Sequence, residues 1–375
     1  MIFIVFIISV LYLMLIMAFI FGFYKSDIVK NKNTKPKNRF SIVIPFRNEA
    51  HNLSNLLQSL SEIKYPKDFF EILLVNDDSE DNFIEIIKEF TRQNPNLNLR
   101  HVQSIRKSES PKKDALNTAI KLSNFEWIVT TDADCLVPKL WLHLFNQFIE
   151  EKQPIFISAP VKFSLQNSWL YHFQNLNFIS LMGSTVGGFG IGNPFMCNGA
   201  NLCYRKSIFF KLHGFEGNAE IASGDDIFLM EKMIKAYPKN VKFLKSEEVI
   251  VETKTENSWK LFLHQQIRWA SKSVSYKIFF AKFVGLCVFS ENLMVLILGL
   301  AAMLFSQYWI YFFFVFTSKI IADFILITQT SVFLKNTKSL KHYLTISLCY
   351  PFFIVFTASL STFKNYEWKG RSFKK

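Results

Sequence analysis

An α/β domain with a mainly parallel sheet, flanked by transmembrane helices, is the fold class the sequence predicts. Three observations predict it. Between residues 40 and 131, short β-branched apolar runs alternate with stretches of helical periodicity. Residues 1–24 contain no charge. Three further apolar runs follow residue 280, at 283–305, 308–331 and 343–362. The division that results is an anchor at 1–24, a basic linker at 25–39 and a globular domain at 40–256. An amphipathic interfacial helix at 257–280, membrane segments at 281–362 and a basic tail at 363–375 complete it.

The domain's elements follow in order. Ser41–Pro45 (SIVIP) is a buried-strand signal ending at a proline, and residues 49–62 place Leu53, Leu56, Leu57 and Leu60 at helical spacing. Glu71–Val75 (EILLV) is a second strand, followed by the acidic turn NDDSED and a helix over 82–90. A third strand is predicted at 97–103, a helix at 112–122, and a fourth strand at Glu126–Thr131 (EWIVTT) that runs into Asp132-Ala133-Asp134. Ligands of such sheets bind at the carboxyl ends of the strands. The polar groups Arg47/Glu49, Asp77/Asp78 and Asp132/Asp134 all fall there.

The first apolar run is long enough to cross a hydrocarbon core, which needs about 20 apolar residues. It has neither a positive n-region nor an A-x-A-like cleavage site, so it reads as an uncleaved anchor. Lys25, Lys30, Lys32, Lys35, Lys37 and Arg39 follow it against the single acid Asp27. The positive-inside rule puts this cluster, and the domain after it, in the cytosol at the cell (inner) membrane. Glu291 and Asn292 lie near the middle of the second run. Either Glu291 lines an acceptor path, or residues up to about 290 stay at the interface and the span begins later. Counting spans puts the C-terminus outside, while the basic tail asks for the cytosol. Pro351 would then mark a kink or a re-entrant hairpin.

The formal net charge of +13 is explained by these topogenic cations. No stretch of the domain interleaves Lys/Arg with base-stacking aromatics, which excludes nucleic acid as the partner. The five cysteines form no CxxC pair or Cys/His cluster, which argues against a zinc site.

The carboxylates carry the chemistry. Asp132-x-Asp134 at a strand end suits Mg²⁺ or Mn²⁺, which take carboxylate oxygens together with phosphate oxygens and water. Acidic pairs at strand ends also cap helices. Asp77 and Glu49 can accept hydrogen bonds from a base N–H or ribose hydroxyls, while Ser79 or Asp81 caps the next helix. Lys112 and Lys113, ahead of a helix, can meet phosphate. Gly224-Asp225-Asp226 opens a further helix, whose N-terminus would keep Asp226 ionised. The segment from Trp259 through Gln265, Arg268 and Trp269 reads as an interfacial helix.

SIVIPFRNEA, VNDDSED, TDAD, CNGANLCYRK, SGDD and QQIRW, in that order over residues 40–275, resemble the family 2 glycosyltransferases of GT-A fold. The resemblance is to the membrane-integrated members with a Q-x-x-R-W motif, which include polysaccharide synthases and glycolipid-forming transferases. The tail's Trp368-Lys369-Gly370-Arg371 is similar to a basic tryptophan motif of several such enzymes. The resemblance implies that Glu49 and Asp77 contact uridine and that Lys112 lies near the nucleotide. It implies that Asp132 and Asp134 bind the metal, Asp134 more directly, and that Asp226 is the base. Gln265, Arg268 and Trp269 would hold the diphosphate and shape the acceptor entrance. Asn76, Pro111 and Gly224-Asp225 depart from the family pattern, and the last of these leaves open whether Asp225 or Asp226 is the base.

The expected function is inverting transfer of a sugar from a nucleotide-sugar donor, a UDP-sugar by the resemblance, to a lipid or lipid-linked acceptor. A processive polysaccharide synthase is the alternative; its export channel usually needs more helices than three runs provide. A catalytically silent synthase subunit is a third reading, opposed by the retained acids.

Overall fold

The computed structural model describes residues 2–217, 224–273, 275–363, 366–368 and 371–373. Helix α1 (Ile2–Lys25) leads through an extended linker into the domain. There follow β1 (Phe40–Phe46), α2 (Ala50–Ser61), β2 (Phe70–Asn76), α3 (Phe83–Gln93), β3 (Leu99–Gln103), α4 (Pro111–Leu122) and β4 (Trp127–Thr130). The second half holds α5 (Trp141–Lys152), β5 (Phe156–Ser158), β6 (Val161–Phe163), α6 (Trp169–Gly190), β7 (Leu202–Arg205), α7 (Lys206–Lys211), α8 (Asp225–Ala236), β8 (Val241–Phe243) and β9 (Val251–Thr253). Helices α9 (Trp259–Ser273), α10 (Phe279–Leu304), α11 (Trp309–Phe333) and α12 (Tyr343–Phe363) come next, then a short hairpin of β10 (Tyr366–Trp368) and β11 (Arg371–Phe373).

Seven strands form the central sheet in the order β3-β2-β1-β4-β7-β5-β8. The β3-β2-β1-β4 half is parallel, as the sequence predicts, while β7 runs antiparallel to both β4 and β5. Apolar residues close both faces: Leu53, Leu56, Leu57 and Leu60 of α2 on one side, Ala115, Leu116, Ala119 and Ile120 of α4 on the other. Because β1, β2 and β4 are adjacent and parallel, with Phe46 opposite Asn76 and Val43 opposite Thr130, their carboxyl ends share one edge. That edge gathers the polar residues which sequence alone leaves 30 to 90 positions apart.

The linker is a strap rather than free coil. Asn146 and Gln147 of α5 bond its backbone at Lys30, Lys32, Lys35, Lys37 and Asn38, and Lys32 and Lys37 pair with Glu151 and Glu150 at 2.8 and 2.6 Å. Exposed pairs of this kind are worth at most about 1 kcal/mol each. The backbone bonds to buried Asn146 and Gln147 do more to fix the path.

Helix α6 is absent from the sequence expectations. Its 22 residues are buried on most sides between the domain, α1 and α11, so no apolar stripe marks it. Its buried amides are satisfied by distant partners. Gln174 pairs with the Glu256 backbone, Asn175 with Asn336 and Ser339, and Asn177 with Gln266 and Tyr350. Where α6 crosses α1 the backbones touch. A Cβ on Gly22 would collide with the Gly187 carbonyl oxygen, and one on Gly190 with the Gly22 backbone.

Helices α1, α10, α11 and α12 are long and apolar enough to cross a membrane. Their outward faces carry exposed large apolar side chains, among them Phe6, Met14, Leu300, Phe313 and Phe352. Helix α10 runs unbroken from Phe279 to Leu304. Two expectations change here. Helix α12 passes through Pro351 without turning back, so it is not a re-entrant hairpin. The single helix expected over 257–280 is interrupted: α9 ends at Ser273 and α10 begins at Phe279. Phe353 of α12 stacks on Phe262 of α9 at 5.2 Å, and β10 lies beside α9, the helix that abuts the domain. Lys369, Gly370 and the final lysines of the basic tail lie outside the described residues.

Candidate active site

One cavity of about 1070 Å³ opens at the carboxyl edge of the sheet and runs down between the long apolar helices. Every residue to which the resemblance assigns a site role lines it, whereas Lys113 does not. Glu49 and Asp77 stand at the ends of β1 and β2, Asp132 and Asp134 just past β4, Asp225 and Asp226 at the start of α8. Lys112 comes from the first turn of α4, and Gln265, Arg268 and Trp269 from α9.

At the first corner, Arg106 holds the Asp77 carboxylate at 2.6 Å and reaches Asp78 at 3.3 Å. Arg47 bonds the backbone carbonyls of Asp77 and Asp78 at 2.9 and 2.7 Å, so the acidic turn is clamped from two sides. Glu49 accepts from the Asn52 amide at 2.6 Å. The expected cap is corrected here: α3 begins at Phe83 with no side-chain cap. Asp81 instead accepts from the Ala50 N–H at the start of α2, and Ser79 from the Asn48 N–H. The acidic turn thus serves the preceding helix, a contact made across 31 residues.

Lys112 joins the two acid groups. Its ammonium lies 2.7 Å from Asp132 and 3.6 Å from Asp225. Burial works against its charge, yet the Asp132 and Asp225 carboxylates hold its pKa above the ordinary lysine range. Pro111 occupies the first position of α4, where the missing N–H costs nothing. Asp132 is engaged by Lys112, and an Asp134 oxygen is 3.4 Å from the Thr253 hydroxyl of β9. Two such carboxylates suit a hard divalent cation that would complete its shell with phosphate and water. No group of three or more His, Cys, Asp and Glu forms an all-protein metal cage among the described residues.

The second acid pair divides its roles. Gly224 has φ +81°, and a Cβ there would sit 2.9 Å from the Phe228 ring, so glycine is required ahead of α8. Asp226 accepts from the Gly199 N–H at 3.1 Å and the Ile227 N–H at 2.8 Å. Burial would raise Asp225, but Lys112, Lys272 and Lys113 hold it below the ordinary aspartate value. Burial and the neighbouring Asp225 charge push Asp226 up, against Lys272 and Lys112. The help expected from the helix N-terminus toward ionising Asp226 is opposed by these two effects. Ser223 of the SGDD motif lies outside the described residues.

Lys272 is the residue sequence reasoning missed. It lines the cavity within charge range of Asp226, Arg268 and Asp225, and burial lowers its pKa to about 8. Lys113, packed over the Phe228 ring at 5.2 Å, is lowered to about 8 by the same cause. The signal for Lys272 was present. It follows Gln265 by seven and Arg268 by four, the spacing of one helix face. Glu291 is corrected in the other direction. It is fully buried, takes a 3.1 Å bond from Ser9 of α1, and does not line the cavity.

The chain is 26% identical over 245 residues to the "Probable glycosyltransferase YdaM" of Bacillus subtilis, covering 64% of this chain and 56% of that protein. It is 22% identical over 253 residues to the poly-beta-1,6-N-acetyl-D-glucosamine synthase of Staphylococcus epidermidis, covering 66% of this chain and 57% of that one. The chain thus spans a little over half the length of these relatives. Among solved structures, the mannosyltransferase PcManGT from Pyrobaculum calidifontis, in complex with GDP-Man and Mn²⁺, superposes with a TM-score of 0.57 over 96% of both chains at 15% identity, a likeness of fold. The profile of Glycosyl transferase family 21 matches residues 10–374, and the chain belongs to that family of glycosyltransferases.

Proposed function

We propose that the chain transfers a sugar, with inversion, from a nucleotide-sugar donor to a lipid or lipid-linked acceptor at the cytosolic face of the membrane. One observation carries this reading: the cavity that holds the six acids at its polar end is walled by the apolar faces of α1, α6, α10, α11 and α12 at the other. A donor diphosphate belongs with the cations and carboxylates, and an acceptor that fills the apolar half is a lipid. In this reading Glu49 and Asp77 hold the nucleoside, and Asp134 with Asp132 holds Mg²⁺ or Mn²⁺. The metal would offset the charge of the leaving diphosphate. Lys112, Gln265, Arg268 and Trp269 hold the diphosphate end and frame the acceptor entrance. Asp226 takes the acceptor proton. The relatives include a polysaccharide synthase, which keeps polymer synthesis as the competing outcome.

The test uses membranes bearing the protein, a panel of labelled UDP- and GDP-sugars, and separation of lipid extract from insoluble polymer. Label is expected in the lipid extract, with a UDP-sugar. Label confined to insoluble polymer would overturn the acceptor assignment.

Lys272 gives this reading a pH signature. Its free-enzyme pKa of about 8 means that its charge, needed beside the diphosphate, is lost as pH rises through that value. Asp226, raised above the ordinary 3.8, must lose its proton on the acid side. A bell-shaped kcat/KM profile is expected. Lys272→Arg, which stays charged, should keep the acid limb and carry activity past pH 9. An alkaline limb unmoved in that variant would remove Lys272 from the site.

A further inference from the structure

A relay of three side chains runs along the wall of the cavity beside Glu49. Lys254, just past β9, donates from its ammonium to the side-chain oxygen of Asn52 in the first turn of α2. The Asn52 amide N–H donates in turn to the Glu49 carboxylate at 2.6 Å. Asn52 and Glu49 are 6% and 9% exposed, and all three residues line the cavity. Lys254 reaches Asn52 across 202 residues and belongs to none of the motifs that mark the site. The segment that carries it is fixed on either side. The Thr253 hydroxyl lies 3.4 Å from Asp134, the Glu256 carboxylate accepts from Gln265 at 3.1 Å, and the Glu256 backbone pairs with the Gln174 amide.

An asparagine amide has a donor end and an acceptor end. An ammonium only donates, so Lys254 holds the Asn52 oxygen toward itself and the NH₂ toward Glu49. Turned round, the amide would set its oxygen against the carboxylate. The bond from Asn52 fixes the rotation of the Glu49 carboxylate, which when ionised only accepts. A carboxylate held in this way suits a base that presents a ring N–H, as uracil and guanine do. It opposes a base with a lone pair at that ring position, as cytosine and adenine have. We propose that Lys254 is a positioning residue for donor selection: acting through Asn52, it aims Glu49 so that the site takes a nucleoside diphosphate whose base carries a ring N–H. The proposal rests on Glu49 holding the nucleoside, as in the function proposed above.

The experiment measures equilibrium binding of UDP and CDP, with Mn²⁺ present, to the full-length protein in lipid nanodiscs, together with kcat and donor KM. GDP and ADP replace them if the donor panel gives a GDP-sugar. Wild type is expected to prefer UDP by about tenfold or more, because a carboxylate set against the cytosine lone pair makes no hydrogen bond there. Lys254→Met and Asn52→Leu should each weaken UDP about threefold to tenfold, leave CDP within about twofold, and raise the donor KM with kcat little changed. The double variant should lose no more than the larger single loss, since both changes release the same carboxylate. Lys254→Arg, which also only donates, should keep the preference. No preference in wild type, equal weakening of UDP and CDP by Lys254→Met, or losses that add in the double variant would overturn the relay while Glu49 stays a nucleoside contact. Glu49→Gln separates the two readings: it should lose the preference, and a Glu49→Gln protein that still prefers UDP as wild type does would overturn the nucleoside role of Glu49 and the relay with it.

Discussion

Asp226→Asn is expected to lose sugar transfer by about 10²–10⁴-fold while still binding the donor, the usual worth of general-base assistance. The base has to lie away from the metal and the leaving diphosphate. Asp226 meets that requirement on a separate element, α8, and its carboxylate is oriented by two backbone N–H groups rather than neutralised by a cation. Its pKa is raised by burial and by Asp225, which makes it a better proton acceptor near neutral pH than an ordinary aspartate. Asp225 is tied to Lys112 at 3.6 Å and is lowered, which suits a residue that positions its neighbours. Asp225→Asn should therefore lose less. Donor titration and single-turnover transfer on both variants separate the two. Near-normal transfer by Asp226→Asn with a dead Asp225→Asn would move the base one residue back.

Removal of divalent cation, or Asp134→Ala, is expected to cost about 10²–10³-fold in turnover, the scale on which lost stabilisation of a developing anion is felt. The charge count favours this. Lys112 is already shared between Asp132 and Asp225, so the diphosphate end of the cavity has few uncommitted cations. Excess EDTA followed by titration with Mg²⁺ or Mn²⁺ should abolish and then restore activity in wild type. The Asp134→Ala enzyme should stay low at any metal concentration. Undiminished turnover in EDTA would exclude the metal.

What the sequence by itself determined is local. Alternation of β-branched runs with leucine periodicity placed β1, α2, β2, α3, β3, α4 and β4 within a few residues of their observed bounds, because α2 and α3 each bury one regular face and β1, β2 and β4 are continuous apolar runs buried on both. Length and apolarity alone likewise marked the four membrane-length helices. Of the ten candidate site residues, Glu49, Asp77, Lys112, Asp132, Asp134, Asp225 and Asp226 were legible because they fall at strand ends and helix starts, while Gln265, Arg268 and Trp269 lie within α9 and came from the resemblance.

Only the tertiary structure decided the rest. Helix α6 escaped notice because burial on several sides erases an apolar stripe, and its amides are satisfied by residues up to about 165 positions away. Asp81 capping α2 instead of α3, and the linker strapped to α5, are long-range contacts with no local signature. The division of labour between Asp225 and Asp226 was open in sequence, since two adjacent aspartates differ in nothing but what surrounds them. Lys112 and Lys272 supply that difference, lowering one and leaving burial to raise the other. Glu291 follows the same rule: it is fully buried against Ser9 of α1 and does not line the cavity. Sequence fixes which charges a helix carries, and packing decides which of them a substrate can meet.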